Sequence, residues 1–191
     1  MKLRYIPNII SLIRIILVGI FAYVFLTFYP SGIIASAVIF IISGITDVVD
    51  GIIARHFGWI SSVGKMLDPI ADKLMQCTVL LCLSLKNVTP WWIFAFFIVK
   101  EGMMAAGALL LFRRRHEVYG SKVFGKFATV LFYTVIASII IWGDHMGKLG
   151  VNILCIATAI AAVVALVLYS FSYLKNKKQE PSEGVLGETN N

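Results

Sequence analysis

Residues 47–73 read DVVDGIIARHFGWISSVGKMLDPIADK. The chain contains only five aspartates, and four of them, Asp47, Asp50, Asp68 and Asp72, fall in this stretch. Its surroundings are apolar: 59% of the 191 residues are hydrophobic and 14% are charged. A soluble domain carries about a quarter charged residues. A water-soluble chain of this length could not bury so much apolar surface. The expected solvent is a bilayer, where an ionised carboxylate at the midplane costs ~2.5–3.5 kcal/mol. Four acids in one hairpin therefore need a reason.

Working outward, apolar stretches fall at 9–28, 32–49, 67–85, 91–111, 124–142 and 151–173. Each is close to the ~20 residues that carry a helix across about 30 Å of hydrocarbon. Backbone groups in lipid must be satisfied within the segment, so all six are expected to be helices. The fold class expected is thus all-α and integral to the membrane, with six transmembrane helices. Turn chemistry separates the spans at Tyr29-Pro30-Ser31-Gly32, at Lys86-Asn87-Val88-Thr89-Pro90 and from Gly143-Asp144 to Gly150. The run from Ile9 is too long for a cleaved signal, and no small-x-small site follows it, so it is expected to be retained. Residues 1–174 form the expected membrane domain. The tail 175–191 lacks apolar periodicity and is expected to be disordered.

Lys and Arg set the orientation. They gather at the N-terminus (Lys2, Arg4), between spans two and three (Arg55, Lys65), between four and five (Arg113-Arg114-Arg115, Lys122) and after the last span. The opposite connections hold only Lys86 and Lys148. Both termini and the acidic hairpin are therefore expected on the cytoplasmic side of the cell membrane. The net charge of +7 reads as a topology signal and as attraction to anionic lipid headgroups. No soluble basic face exists for nucleic acid. Cys77, Cys82 and Cys155 lie in apolar runs without pairing or ligand spacing and are expected to be buried thiols.

Asp47 and Asp50 are three residues apart and share a helix face; Asp68 and Asp72, four apart, share another. Asp68 before Pro69 suits an N-cap and first-turn proline, and the dipole of that helix start would favour Asp72. A hairpin brings the two pairs together, and only cations could hold them there. All-carboxylate oxygen ligands select hard ions, and four acids can bridge two of them, the arrangement that clamps a phosphorus displacement. Gly51 would let a phosphate approach the backbone, and Arg55 can fork onto a diphosphate. Gly51, Ala54 and Gly64 could each equally be packing positions between membrane helices.

Taken together, Asp47-x2-Asp50-Gly51-x2-Ala54-Arg55-x8-Gly64-x3-Asp68-x3-Asp72 resembles the signature of the CDP-alcohol phosphatidyltransferases. The resemblance extends to the six-span layout. It implies a divalent-metal-dependent enzyme of phospholipid biosynthesis that moves the phosphatidyl group of CDP-diacylglycerol to an alcohol and releases CMP. It implies two Mg2+ or Mn2+ ions on Asp47, Asp50 and Asp68, with Asp72 beside the second ion as the base that accepts the hydroxyl proton. It also implies that Asp47, Gly51, Ala54, Arg55 and Gly64 hold the nucleotide with Asn8 and Arg14, and that the protein is a homodimer. Arg14 could instead snorkel to the interface.

The phrases YIPNIISLIRIILV and GKMLDPIADKLM resemble the branch containing the phosphatidylglycerophosphate synthases, whose acceptor is glycerol 3-phosphate. Cardiolipin synthases of the same fold, which take phosphatidylglycerol, share much of this wording. An acceptor phosphate needs cations, and Arg113, Lys122 and above all Lys126 are the candidates. Arg113-Arg114-Arg115 can equally be a positive-inside anchor. Lys100 and Glu101, costly within the fourth span, either face the site or pair with charges on neighbouring helices. The chain departs from the glycerophosphate branch at Ser11 for Thr, at Lys100-Glu101 for Arg-Glu, and at Val130-Leu131-Phe132 where a polar residue is usual. The last points to a more apolar pocket and a lipid acceptor. A transporter is the rival from another class, but carriers show repeated halves and broken helices around a mid-membrane site.

Overall fold

The computed structural model describes residues 6–57, 62–113 and 122–177, with side chains described for 10–46, 49, 70–106 and 130–167. Five helices are assigned: α1 (Ile6–Phe28), α2 (Ile33–Phe57), α3 (Ser62–Leu85), α4 (Trp91–Arg113) and α5 (Lys122–Lys177). No strand occurs among the described residues. Within α5, Gly147 alone leaves helical geometry, at φ 68° and ψ 163°. Phe132, Ile136 and Ile139 from before Gly147 line one cavity with Cys155, Thr158 and Ala162 from after it. The chain therefore doubles back at Gly147, and α5 is a hairpin of two arms.

This corrects the expected break from Gly143 to Gly150. Helical residues run up to Met146 and resume at Lys148, because one glycine in a backbone region closed to other residues makes the whole reversal. The other breaks fall where turn residues predicted them. Residues 29–32 turn from α1 to α2 and include a cis Tyr29-Pro30 bond. The α3 terminus closes on Asn87 at φ 55°, with Val88 donating to the Leu83 carbonyl at 2.9 Å and Asn87 to the Ser84 carbonyl at 3.0 Å. That pairing is a Schellman closure, with asparagine in the left-handed position.

A second correction concerns Asp68. It does not cap a helix: α3 begins at Ser62, so Asp68 and Pro69 lie in its second turn. The proline cannot donate to the carbonyl four residues back, and the helix nevertheless continues through it. Asp72 is correspondingly beyond the reach of the helix-start dipole, which fades within a turn. At the other end of the chain, α5 runs to Lys177, three residues past the expected domain boundary, and 178–191 lie outside the described residues.

Helix α1 is the centre of the bundle, packed on both α2 and α3; α5 packs on α2, and α4 on α3. The core joins Phe21 and Phe25 of α1, stacked at 5.6 Å, to Phe40 of α2, Met75 and Val79 of α3 and Ile139 of α5. Ser11, Ser36, Ser43 and Ser84 are also buried, small polar residues that let membrane helices approach closely. Outward faces are the reverse of a soluble protein's, with Ile16, Tyr23, Ile34, Val99, Leu149 and Ile153 more than half exposed. Two helical stretches are long and apolar enough to cross a membrane, Ile10–Phe28 and the 38-residue Val130–Val167; Ile33–Thr46 is a shorter one. Such a surface belongs in hydrocarbon.

Candidate active site

The eight motif residues divide between two helices. Asp47, Asp50, Gly51, Ala54 and Arg55 lie in the last turns of α2, and Gly64, Asp68 and Asp72 in the first turns of α3. Only residues 58–61 join the helices, a link of at most ~18 Å fully extended. Asp47 stands ten residues before the end of α2 and Asp72 ten residues after the start of α3, so both lie about 15 Å in by helical rise. Helix α1 runs antiparallel to α2 after the tight 29–32 turn, which puts Arg14 about 12 Å from its own start and at a similar depth. Its side chain is fully buried. It does not snorkel, and a buried guanidinium is stable only beside anions or acceptors.

Of the sequence-predicted residues, Arg14 and Asp72 have described side chains; those of Asn8, Asp47, Asp50, Gly51, Ala54, Arg55, Gly64, Asp68, Arg113, Lys122 and Lys126 lie outside the described residues. No cluster of three or more metal-ligating side chains occurs among the described residues. As a donor set, the four aspartates fit a hard divalent cation. Helical backbone at 47 and 50, and at 68 and 72, keeps each pair on one face, as two-helix ligation requires.

Asp72 is the best-defined part of the site. Tyr133 donates its hydroxyl to Asp72 Oδ1 at 3.0 Å. Gln76, one turn further along α3, donates Nε2 to Oδ1 at 3.1 Å and to Oδ2 at 3.0 Å. Oδ1 thus takes two donors while Oδ2 keeps acceptor capacity, Lys73 Nζ standing 4.0 Å away. The carboxylate is only 16% exposed. Tyr133 is itself fixed: its ring stacks on Phe40 at 4.8 Å and 15°, and a Cβ at Gly44 would come within 2.9 Å of it.

Lys100 and Glu101 both pair and face this region. Glu101 Oε2 lies 3.0 Å from Lys73 Nζ on α3, and its Oε1 pairs with Lys100. Lys73, Gln76 and Lys100 line one end of a cavity that continues between α3, α4 and both arms of α5. Sequence reasoning passed over Gln76 and Tyr133, and weighed Lys73 only as a charge partner of the aspartates. The signals were available: Gln76 follows Asp72 by four residues, and Tyr133 follows the very Val130-Leu131-Phe132 run that was read as lacking a polar residue.

Comparison with known proteins agrees with the motif. The family model for CDP-alcohol phosphatidyltransferase matches residues 4–173. A Mycobacterium tuberculosis relative, a cardiolipin synthase by provisional name, is 33% identical over 66% of this chain and 60% of its own length. The CDP-diacylglycerol–glycerol-3-phosphate 3-phosphatidyltransferase of Bacillus subtilis is 33% identical over 64% of this chain and 69% of its own. The cardiolipin synthase (CMP-forming) of Streptomyces coelicolor is 31% identical over 65% and 59%. The match spans about 60% of the length of the mycobacterial and streptomycete relatives. The chain belongs to the CDP-alcohol phosphatidyltransferase family.

Proposed function

We propose that the protein transfers the phosphatidyl group of CDP-diacylglycerol to the hydroxyl of an acceptor that carries a glycerol phosphate, releasing CMP. Among such acceptors the sequence favours glycerol 3-phosphate first and phosphatidylglycerol second. The observation that carries the reading is the Asp72 carboxylate, held on Oδ1 by Tyr133 and Gln76 and on Oδ2 by Gln76 alone, so that Oδ2 keeps acceptor capacity.

Asp47, Asp50 and Asp68, with Asp72 adjoining, would hold two Mg2+ or Mn2+ ions. When bound, these ions would neutralise the diphosphate and so make its phosphorus attackable. Arg14 and Arg55 would supply further positive charge for the nucleotide phosphates, with Gly51, Ala54 and Gly64 as the small residues that would let them approach. The acceptor hydroxyl gives its proton to Asp72 Oδ2 as its oxygen bonds to the phosphatidyl phosphorus. The anhydride bond breaks on the opposite side, and CMP leaves with the electron pair. No covalent enzyme intermediate is needed. Six spans, with α5 supplying two, would set the site at the cytoplasmic edge of the cell membrane, where acyl tails stay in hydrocarbon while CMP escapes to water.

The deciding assay uses purified protein, CDP-diacylglycerol and Mg2+ or Mn2+, with glycerol 3-phosphate or phosphatidylglycerol as acceptor. CMP release with either is expected. Its absence with both, in protein that still binds CDP-diacylglycerol, would refute the transferase reading.

A further inference from the structure

Glu101 sits in the middle of an apolar helix, between Phe96-Phe97-Ile98-Val99 and Gly102-Met103-Met104. A carboxylate there is costly, and Lys100 beside it would suffice to neutralise it. Yet only one of its oxygens goes to Lys100. The other reaches across to α3 and pairs with Lys73 Nζ at 3.0 Å. Lys73 has a carboxylate nearer in sequence, Asp72, whose Oδ2 stands 4.0 Å from the same nitrogen. A charge-assisted contact closes to about 2.7–2.9 Å when it forms. The Lys73–Glu101 pair is therefore made, and the Lys73–Asp72 pair is left open.

Gln76 stands between the two charges. Its Oε1 faces Lys73 Nζ at 3.5 Å, while its Nε2 donates to both oxygens of Asp72. Turning the amide over would set oxygen against carboxylate and nitrogen against ammonium, so its orientation is fixed. Among the described side chains, the hydrogen bonds that Asp72 accepts come from neutral donors, Gln76 and Tyr133, although the Lys73 ammonium is at hand. The four charges of the group balance, two ammoniums against two carboxylates. Neutrality would be met equally well by pairing Lys73 with Asp72 and Lys100 with Glu101. The Lys73 side chain is 39% exposed, against 16% for Asp72 and for Glu101, so it has room to take either partner. What the pairing across helices adds is the open side of Asp72 Oδ2.

We propose that Glu101 is a positioning residue, which holds the Lys73 ammonium off Asp72 and so keeps Oδ2 open to the acceptor hydroxyl. The inference rests on the transferase reading, in which Oδ2 takes the hydroxyl proton. An ammonium hydrogen-bonded to Oδ2 would occupy the lone pair that this proton must reach. Without the Glu101 charge, Asp72 is the carboxylate left within reach of Lys73 among the described residues. The ammonium then closes on it, and turnover falls. The rival assignment makes Lys73 a working cation that grips an anionic substrate, with Glu101 merely orienting it.

The test measures CMP release by the full-length protein in mixed micelles, with CDP-diacylglycerol, Mg2+, and glycerol 3-phosphate and phosphatidylglycerol supplied together. Glu101→Gln should lower kcat about tenfold or more and leave the KM for CDP-diacylglycerol within about twofold. In a Lys73→Gln background the same change should cost less than about twofold, because the group that Glu101 restrains is gone. Lys73→Arg, whose longer fork spans to Asp72 with Glu101 in place, should be slower than Lys73→Gln. The rival assignment requires the opposite order, since arginine keeps the charge; that order would overturn the proposal without any change at Glu101. A wild-type kcat in Glu101→Gln, an undiminished loss in the Lys73→Gln background, or a parallel rise in the donor KM would each overturn it too. All of these leave the transferase reading standing. No CMP from the unchanged protein would remove that reading, and this one with it.

Discussion

Asp72 stands or falls on its two hydrogen-bond donors. With its oxygens held by Tyr133 and Gln76, the carboxylate is fixed in place, and a base must sit within hydrogen-bond reach of the proton it takes. Asp72→Asn keeps the shape and removes the proposed base; we expect CMP release to fall about 10²–10⁴-fold with CDP-diacylglycerol binding retained, read by turnover alongside a binding titration. Tyr133→Phe removes one donor to a charged acceptor, a loss of about 1.5–3 kcal/mol. As a positioning change it should lower kcat about tenfold or more while KM for the donor holds steady. An unchanged kcat would mean that Gln76 alone orients the base. The residues show why the site was only half legible in the sequence. Aspartates at fixed spacing announce themselves, because charge in an apolar chain is costly and conspicuous. Tyr133 does not: a tyrosine among aliphatic residues reads as core, and only the fold brings it to an aspartate sixty-one residues away.

Two glycines do at the level of helices what no motif declares. Gly44 of α2 leaves room for the Tyr133 ring, which stacks on Phe40 one turn earlier. Gly44→Ala would push a methyl against ring carbons 2.9–3.0 Å away. The ring belongs to a packed neighbour and cannot simply swing clear, so we expect activity to fall as it does for Tyr133→Phe, with additivity lost in the double variant because both act on one contact. Gly147 has another task. Its φ and ψ lie in a region that is essentially glycine-only, and a side chain there costs of order 1–3 kcal/mol. Gly147→Ala should lower the thermal midpoint in detergent with little effect on KM, since the turn is remote from Asp72. A wild-type midpoint would show that the two arms can close without this backbone geometry. Apolar runs made the helices legible, and Asn87 and Pro30 marked two of their ends. The start of α3 was misjudged because Asp68-Pro69 reads as a helix entry, whereas the helix tolerates the proline in its second turn.

Across the whole molecule, the two ends differ in kind. One carries the motif, with Asp47 through Asp72 where α2 and α3 meet. The other is a knot of turns: Tyr29 donates to Asp144 at 2.6 Å, Lys86 lies 5.7 Å from the Tyr29 ring centre, and Trp92 donates to Asn152 at 3.2 Å. Burial and the Asp144 carboxylate push the Tyr29 phenol up to about 12, so it stays neutral and able to donate across the working pH range. Because the folded-state value is raised, this contribution is fully present below the ordinary tyrosine value near 10 and is lost as pH climbs through about 12. The knot binds the α1–α2 turn to the Gly147 hairpin and the start of α4 to the second arm of α5, at the end opposite Asp72. Basic residues crowd the motif end, and only Lys86 and Lys148 serve the knot among the connections. If that asymmetry orients the chain, the knot faces outward and Asp72 the cytoplasm. Asn87→Cys on intact cells should then react with a membrane-impermeant maleimide, since Asn87 is exposed. Background should be low, because Cys82 and Cys155 are buried and Cys77 is half-buried. Labelling of Asn87→Cys only after the membrane is opened would reverse the orientation, and would put the proposed metal and nucleotide site on a face where cytoplasmic CDP-activated lipid could not supply it.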